Sequence, residues 1–173
     1  MSLFIRAEAA LEAHFKKAAG VGTPPRLEDA MRHAVFNGGA RIRPQLCLAV
    51  ATACGDDTPA LTDAAAVALE LMHCASLVHD DMPAFDNADV RRGKPTVHKA
   101  FSEPLALLTG DGLIVMAYQV LLQAGAAHRE ALRLLNQKSI KCRTVSSSFQ
   151  VFLWEVSSLP QREIETLSLR DYV

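Results

Sequence analysis

His79-Asp80-Asp81-Met82-Pro83-Ala84-Phe85-Asp86 closes a long alanine- and leucine-rich stretch and is followed closely by Arg91-Arg92-Gly93. Three carboxylates with a pair of arginines just beyond them describe a site that holds magnesium and, through it, a polyphosphate. Mg²⁺ seldom receives an all-protein cage; it takes one or two carboxylates and leaves its other positions to phosphate oxygens and water.

On a straight helix Asp86 would stand about 120° away from the Asp80 face and about 9 Å further along the axis, too far to share a metal readily. Pro83 removes that obstacle. Its ring clashes with the carbonyl four residues back and drives Met82 toward extended geometry, so the helix is expected to bend or end there and let Asp86 swing back toward Asp80.

By itself an acidic cluster at a helix end reads equally as a solvated cap or loop. Its neighbours favour the metal. Asn37-Gly38-Gly39-Ala40-Arg41-Ile42-Arg43-Pro44 lies upstream, Leu69-Glu70-Leu71-Met72-His73 leads into the turn, Arg91-Arg92-Gly93-Lys94-Pro95-Thr96 follows it, and Gly110-Asp111 opens the next helix. With these motifs in this order, the chain from about Arg32 to about Leu122 resembles a bacterial short-chain trans-isoprenyl diphosphate synthase. These enzymes are polyprenyl synthetases of the geranylgeranyl or farnesyl diphosphate synthase type.

The resemblance implies an all-α fold, a partial isoprenoid-synthase-type helical bundle with its C-terminal helices missing. It implies that Asp80 and Asp86 ligate Mg²⁺ bridging to an allylic diphosphate, that Asp81 supports them, and that Arg91 contacts the same diphosphate. Arg43, His73 and Arg92 match the isopentenyl diphosphate site. His73 lies about 20° off the Asp80 helix face, so the two-substrate arrangement is sterically sensible; the alternative for His73 is a hydrogen-bonded core histidine. His79 is assigned a structural role. A homodimer is also implied.

In the reaction that the resemblance implies, the metals and Arg91 neutralise the allylic diphosphate as its C–O bond breaks. The double bond of isopentenyl diphosphate attacks the resulting cation, and a proton is lost to the departed diphosphate. Ala75 and Ser76 lie about 6 to 7.5 Å down the helix from the metals, where a growing prenyl tail must pass, with Met72 a turn deeper as a candidate floor. Farnesyl-type relatives carry a bulky aromatic where Ala75 stands, so the methyl group favours a twenty-carbon geranylgeranyl product. Tight packing by a neighbouring helix is the other reason for a small residue there.

Two departures qualify the match. Ala40 stands where the family usually has a lysine, and losing that charge would weaken diphosphate binding by about 1.5 to 3 kcal/mol unless Arg41 substitutes. The second aspartate-rich motif of the family has no counterpart after Asp111. Two readings therefore stand: an Mg²⁺-dependent prenyltransferase, or a truncated, non-catalytic fragment or accessory subunit that retains the first diphosphate half-site. A plain helical interaction protein with fortuitous motifs is a third.

At 173 residues the chain fits one domain, half its residues are hydrophobic and only 6% aromatic, and alanine and leucine dominate the apolar part. That composition favours close-packed helices. A formal net charge of −1 supplies no basic stripe for nucleic acid. The four cysteines lack metal-binding spacing and suggest a reducing, cytoplasmic setting. Neither a signal nor a transit peptide fits the first twenty or so residues, and no apolar run is expected to span a bilayer.

Helices are expected over about Ser2 to Ala19, Leu27 to Asn37, Pro44 to Cys54, from Thr62 as N-cap to the acidic motif, Gly112 to Leu122 and Ala127 to Leu135, with Asn87 to Thr109 as loop containing short helical pieces. Residues 1–136 read as the prenyl-synthase-like region. Residues 137–173 change character, do not align with the family, and offer at most a short helix over Gln161 to Arg170.

Overall fold

The computed structural model describes residues 2–18 and 24–127. The chain divides into two compact units, 1–124 and 125–173, and the first carries the architecture described here. In chain order it contains α1 (Leu3–Ala18), α2 (Pro25–Val35), α3 (Ile42–Ala53), α4 (Pro59–Asp80), β1 (Val90–Arg91), β2 (Lys94–Pro95), α5 (Val97–Ala100) and α6 (Glu103–Ala127). The all-α reading stands, with a two-stranded antiparallel hairpin as its one β feature among the described residues. The helix expected over Ala127 to Leu135, the division at residue 136, the tail and its helix over Gln161 to Arg170 fall outside the described residues.

α4 is the central element, and α1, α2 and α3 all pack on it. Its buried positions include Ala64, Ala66, Val67, Ala68, Leu71, Cys74, Ala75 and Val78. Small residues let the neighbouring helices come close: Ala7 of α1, Leu48 of α3 and Ala66 of α4 form one fully buried cluster. α1 turns Ala7, Leu11 and Phe15 inward at four-residue spacing, the expected period for one buried helical face. Burial pushes the Cys74 thiol up to about 12, so it sits in the core as a small hydrophobe.

The starts of α4 and α6 differ from expectation. α4 starts a turn earlier than Thr62, with Thr58 as N-cap and Pro59 in the first turn, where a missing N–H costs nothing. Thr62 instead donates its hydroxyl to Asp56 at 2.6 Å. α6 begins at Glu103, so Gly110 and Gly112 lie inside the helix rather than before it. Packing overrides the glycine penalty there, since Ala106, Thr109, Leu113 and Ala117 of α6 are all fully buried.

The expectation of no membrane-length run also needs correction. Pro59–Asp80 and Glu103–Gly125 are both long and apolar enough to cross a bilayer by length and composition. Counting uninterrupted apolar runs missed them, because Asp63 and Glu70 in α4 and Asp111 in α6 interrupt stretches that remain apolar on average. More than half of the α4 stretch is buried inside the fold.

Arg41 ties the helices together. It is 3% exposed and holds a left-handed φ of 49° at the N-cap of α3. Its Nη1 donates to Glu70 of α4 at 2.8 Å and its Nη2 to the Val35 carbonyl at the end of α2 at 2.7 Å. Its Nε donates to Glu8 of α1. Burial alone would lower the arginine's pKa, but the two carboxylates outweigh it and the group is held above its ordinary value. Arg41→Met leaves Glu70 buried without its cation, so unfolding in denaturant should show a loss of about 3 to 5 kcal/mol; a loss below 1 kcal/mol would contradict this account.

Candidate functional site

α4 stops at Asp80, and the chain then folds back on itself through a series of backbone hydrogen bonds. Met82 N–H donates to the His79 carbonyl at 3.1 Å, Phe85 N–H to Met82 at 2.9 Å, and Asn87 N–H to Met82 at 3.1 Å. The Asp86 N–H reaches the Asp80 carbonyl at 2.9 Å, which brings the two residues together across Pro83 as the spacing predicts. Both side chains are exposed.

Asp81 behaves differently from its neighbours. It is 4% exposed and accepts both arms of Arg91, from Nε at 2.7 Å and Nη2 at 2.6 Å. A two-pronged charge-assisted pair of this kind fixes the guanidinium plane as well as its position. The hydrogen bond to Asp81 raises the Arg91 pKa, and the charges of Asp81, Asp80 and Asp86 add to it. The sequence placed Arg91 on the diphosphate and Asp81 beside the metal ligands. It did not show that Asp81 holds Arg91, although a buried carboxylate ten residues before an arginine was there to be paired.

The hairpin places the second arginine elsewhere. Val90 pairs with Pro95 and Arg91 with Lys94, and the two connecting residues, Arg92 and Gly93, have φ of 53° and 78°. Two positive φ values match the tight turns whose twist suits a hairpin. Arg92 reaches the loop after α2, where Nη1 donates to Asn37 Oδ1 at 3.2 Å and to the Gly38 carbonyl. A Cβ on Gly39 would lie 2.7 Å from the Arg92 Cζ, so the second glycine of the Gly-Gly pair makes room for the guanidinium.

His73 of α4 stands within the field of that cluster. Burial holds its imidazole below the ordinary range, and the charges of Arg43, Arg92 and Arg91 push it the same way, opposed by Glu70. Arg43 and Arg92 are thus near enough for His73 to feel their charges. Arg41 does not substitute for the family lysine at Ala40, because its guanidinium is buried and already bound by Glu8, Glu70 and the Val35 carbonyl. Ala40 itself is exposed.

The three residues expected to line the tail path separate by face. Met72, Ser76 and Asp80 follow one another at four-residue spacing on the less buried side of α4, and Ser76 is exposed, its hydroxyl donating to the His73 carbonyl at 2.8 Å. Ala75 is 1% exposed and turned into the core.

Among the described residues no three His, Cys, Asp or Glu side chains converge on one point. Asp80 and Asp86 offer two exposed carboxylates on backbones hydrogen-bonded to each other. That donor set fits Mg²⁺, whose shell phosphates and water complete, better than a metal that needs a full protein cage.

A model of the polyprenyl synthetase family matches residues 24–155. The chain belongs to that family. It is 60% identical over 137 residues to a geranylgeranyl diphosphate synthase of Cereibacter sphaeroides, covering 79% of this chain and 48% of that protein. Among solved structures, a geranyltransferase from Legionella pneumophila superposes with a TM-score of 0.65 at 44% identity, over 72% of this chain and 42% of that one. A geranyltranstransferase from Thermotoga maritima gives 0.66 at 35% identity, over 79% and 51%. The chain spans about half the length of the curated relatives it matches.

Two outcomes are expected. Asp81→Asn breaks the charged pair with Arg91, so calorimetry should show diphosphate binding weakened about tenfold or more, in line with the 2 to 5 kcal/mol cost of breaking such pairs; unchanged affinity would show that Arg91 needs no such support. The second concerns protons. Because the free His73 pKa is lowered, the imidazole is neutral at pH 7, and an anion beside it favours the charged form. Diphosphate binding near pH 6.5 should therefore take up a proton, about one at most. Calorimetry in buffers of different ionisation enthalpy measures this, and His73→Gln should abolish it.

Proposed function

We propose that this chain binds an allylic diphosphate at the Asp80–Asp86 turn and isopentenyl diphosphate at the Arg43, His73 and Arg92 group, and joins them as a trans-prenyltransferase. The observation that carries the reading is the pair of exposed carboxylates, Asp80 and Asp86, on backbones hydrogen-bonded to each other, in a fold where His73 feels the charges of Arg43, Arg92 and Arg91. The carboxylates suit a metal-bound diphosphate and the cations a diphosphate bound directly. Family membership and the geranylgeranyl diphosphate synthase of Cereibacter sphaeroides support the same chemistry.

In this reading Asp80 and Asp86 hold Mg²⁺, which supplies charge neutralisation for the allylic diphosphate. Arg91, held by Asp81, presents its remaining N–H groups to the leaving group as the C–O bond breaks. The π electrons of isopentenyl diphosphate form the new C–C bond to the allylic carbon, and the proton lost in the product leaves with the diphosphate. Arg43, His73 and Arg92 orient the second substrate, and no side-chain nucleophile takes part. The exposed Leu108, Val115 and Leu122 of α6 support the homodimer that the resemblance implies.

Asp80→Asn should weaken Mg²⁺-dependent binding of a non-hydrolysable allylic analogue by about tenfold or more, and unchanged affinity by calorimetry would remove the metal assignment. Incubation of the purified chain with isopentenyl diphosphate, farnesyl diphosphate and Mg²⁺ separates turnover from binding alone; binding without product would assign the chain the diphosphate-holding role only. Where product forms, a twenty-carbon alcohol is expected after dephosphorylation. Ala75→Tyr or the less buried Ser76→Phe should shift it to fifteen carbons, and an unchanged chromatogram for both would refute the tail path.

A further inference from the structure

Gly110 lies inside α6, facing the last turn of α4. A Cβ at this position would overlap the His79 imidazole, whose Cε1 stands 2.7 Å from where that atom would be. The ring fills the space that a side chain on residue 110 would need, and α6 comes this close to α4 because glycine has none. Ala106, Thr109 and Leu113 on the same side of α6 are fully buried, so the contact continues the core and is not a surface touch. His79 Nε2 is shielded from solvent and has no hydrogen-bond partner, and Asp111 Oδ1 lies 3.6 Å away.

The backbone of the same residue starts the acidic turn. The His79 carbonyl accepts the Met82 N–H at 3.1 Å, and the next carbonyl, that of Asp80, accepts the Asp86 N–H at 2.9 Å. The residue seated against α6 is thus the one whose carbonyl opens the turn that places Asp86 beside Asp80. A one-ångström error in such a placement is enough to spoil a binding constellation.

We propose that His79, seated on Gly110 and facing Asp111, is the positioning residue that fixes the Asp80–Asp86 turn against α6. It acts through Asp80 and not on the substrate. The role deepens the reading of that turn as a metal-diphosphate site, and rests on it. Steric fit and the backbone hydrogen bonds of the turn carry the proposal.

The test uses the full chain, with Gly110→Ala to displace the ring and His79→Ala to remove it. Hydrogen exchange at the amides of Asp86, Asn87 and Ala88 reads the turn, with core amides of α1 and α3 as reference. Calorimetry with inorganic pyrophosphate, once with Mg²⁺ and once with EDTA, separates the acidic turn from the basic cluster. Both variants should exchange about tenfold faster at the three turn amides while the α1 and α3 amides keep their protection. Mg²⁺-dependent pyrophosphate binding should weaken, and binding in EDTA should hold. Wild-type exchange at the turn in both variants would overturn the proposal, as would a uniform loss of protection with equal loss of both binding modes. If the turn loosens as stated but wild-type protein shows no Mg²⁺-dependent binding, the metal reading falls and the positioning role of His79 stands.

Discussion

A guanidinium buried among three helices is the constraint from which the site hangs. Arg41 joins Glu8 of α1, the end of α2 at Val35 and Glu70 of α4, and it does so from a left-handed backbone that few residues adopt. Such a charge in the core contributes little net stability once its desolvation is counted, but it tolerates only one arrangement of its partners. That arrangement sets two of the proposed site residues at once. Arg43 follows two residues later on α3, and His73 follows Glu70 by one turn of α4. Both thus stand close in sequence to a buried structural ion pair.

Charge is segregated on a short length scale. Each hairpin arginine has a partner of its own. Arg91 is committed to the buried Asp81, which leaves Asp80 and Asp86 exposed, and Arg92 is committed to backbone and amide oxygens of the loop at 37–38. Neutral acceptors hold Arg92 without cancelling its charge.

Much of this was legible in the sequence, for identifiable reasons. Pro83 announced the bend that returns Asp86 to Asp80, and the alanine-rich period announced α4 and its buried face. The start of α6 was hidden, because Gly110 and Gly112 read as breakers and only the packing against His79 and the core shows why they are tolerated. The burial of Arg41, named in the sequence only as a substitute for the lysine missing at Ala40, was hidden, since charged residues are rarely buried and nothing local marks the exception. The pairing of Asp81 with Arg91 needed the hairpin, whose two-residue strands are too short to give an alternating pattern.

Arg91 ends β1 and Arg92 opens the tight turn with a positive φ, so two arginines joined by a single peptide bond serve two different partners. Their Cα atoms stand about 3.8 Å apart, a length that neither temperature nor packing changes. The backbone acts here as a fixed gauge. Sequence drift at the hairpin tip can alter what each arginine grips, but it cannot alter how far apart their Cα atoms stand.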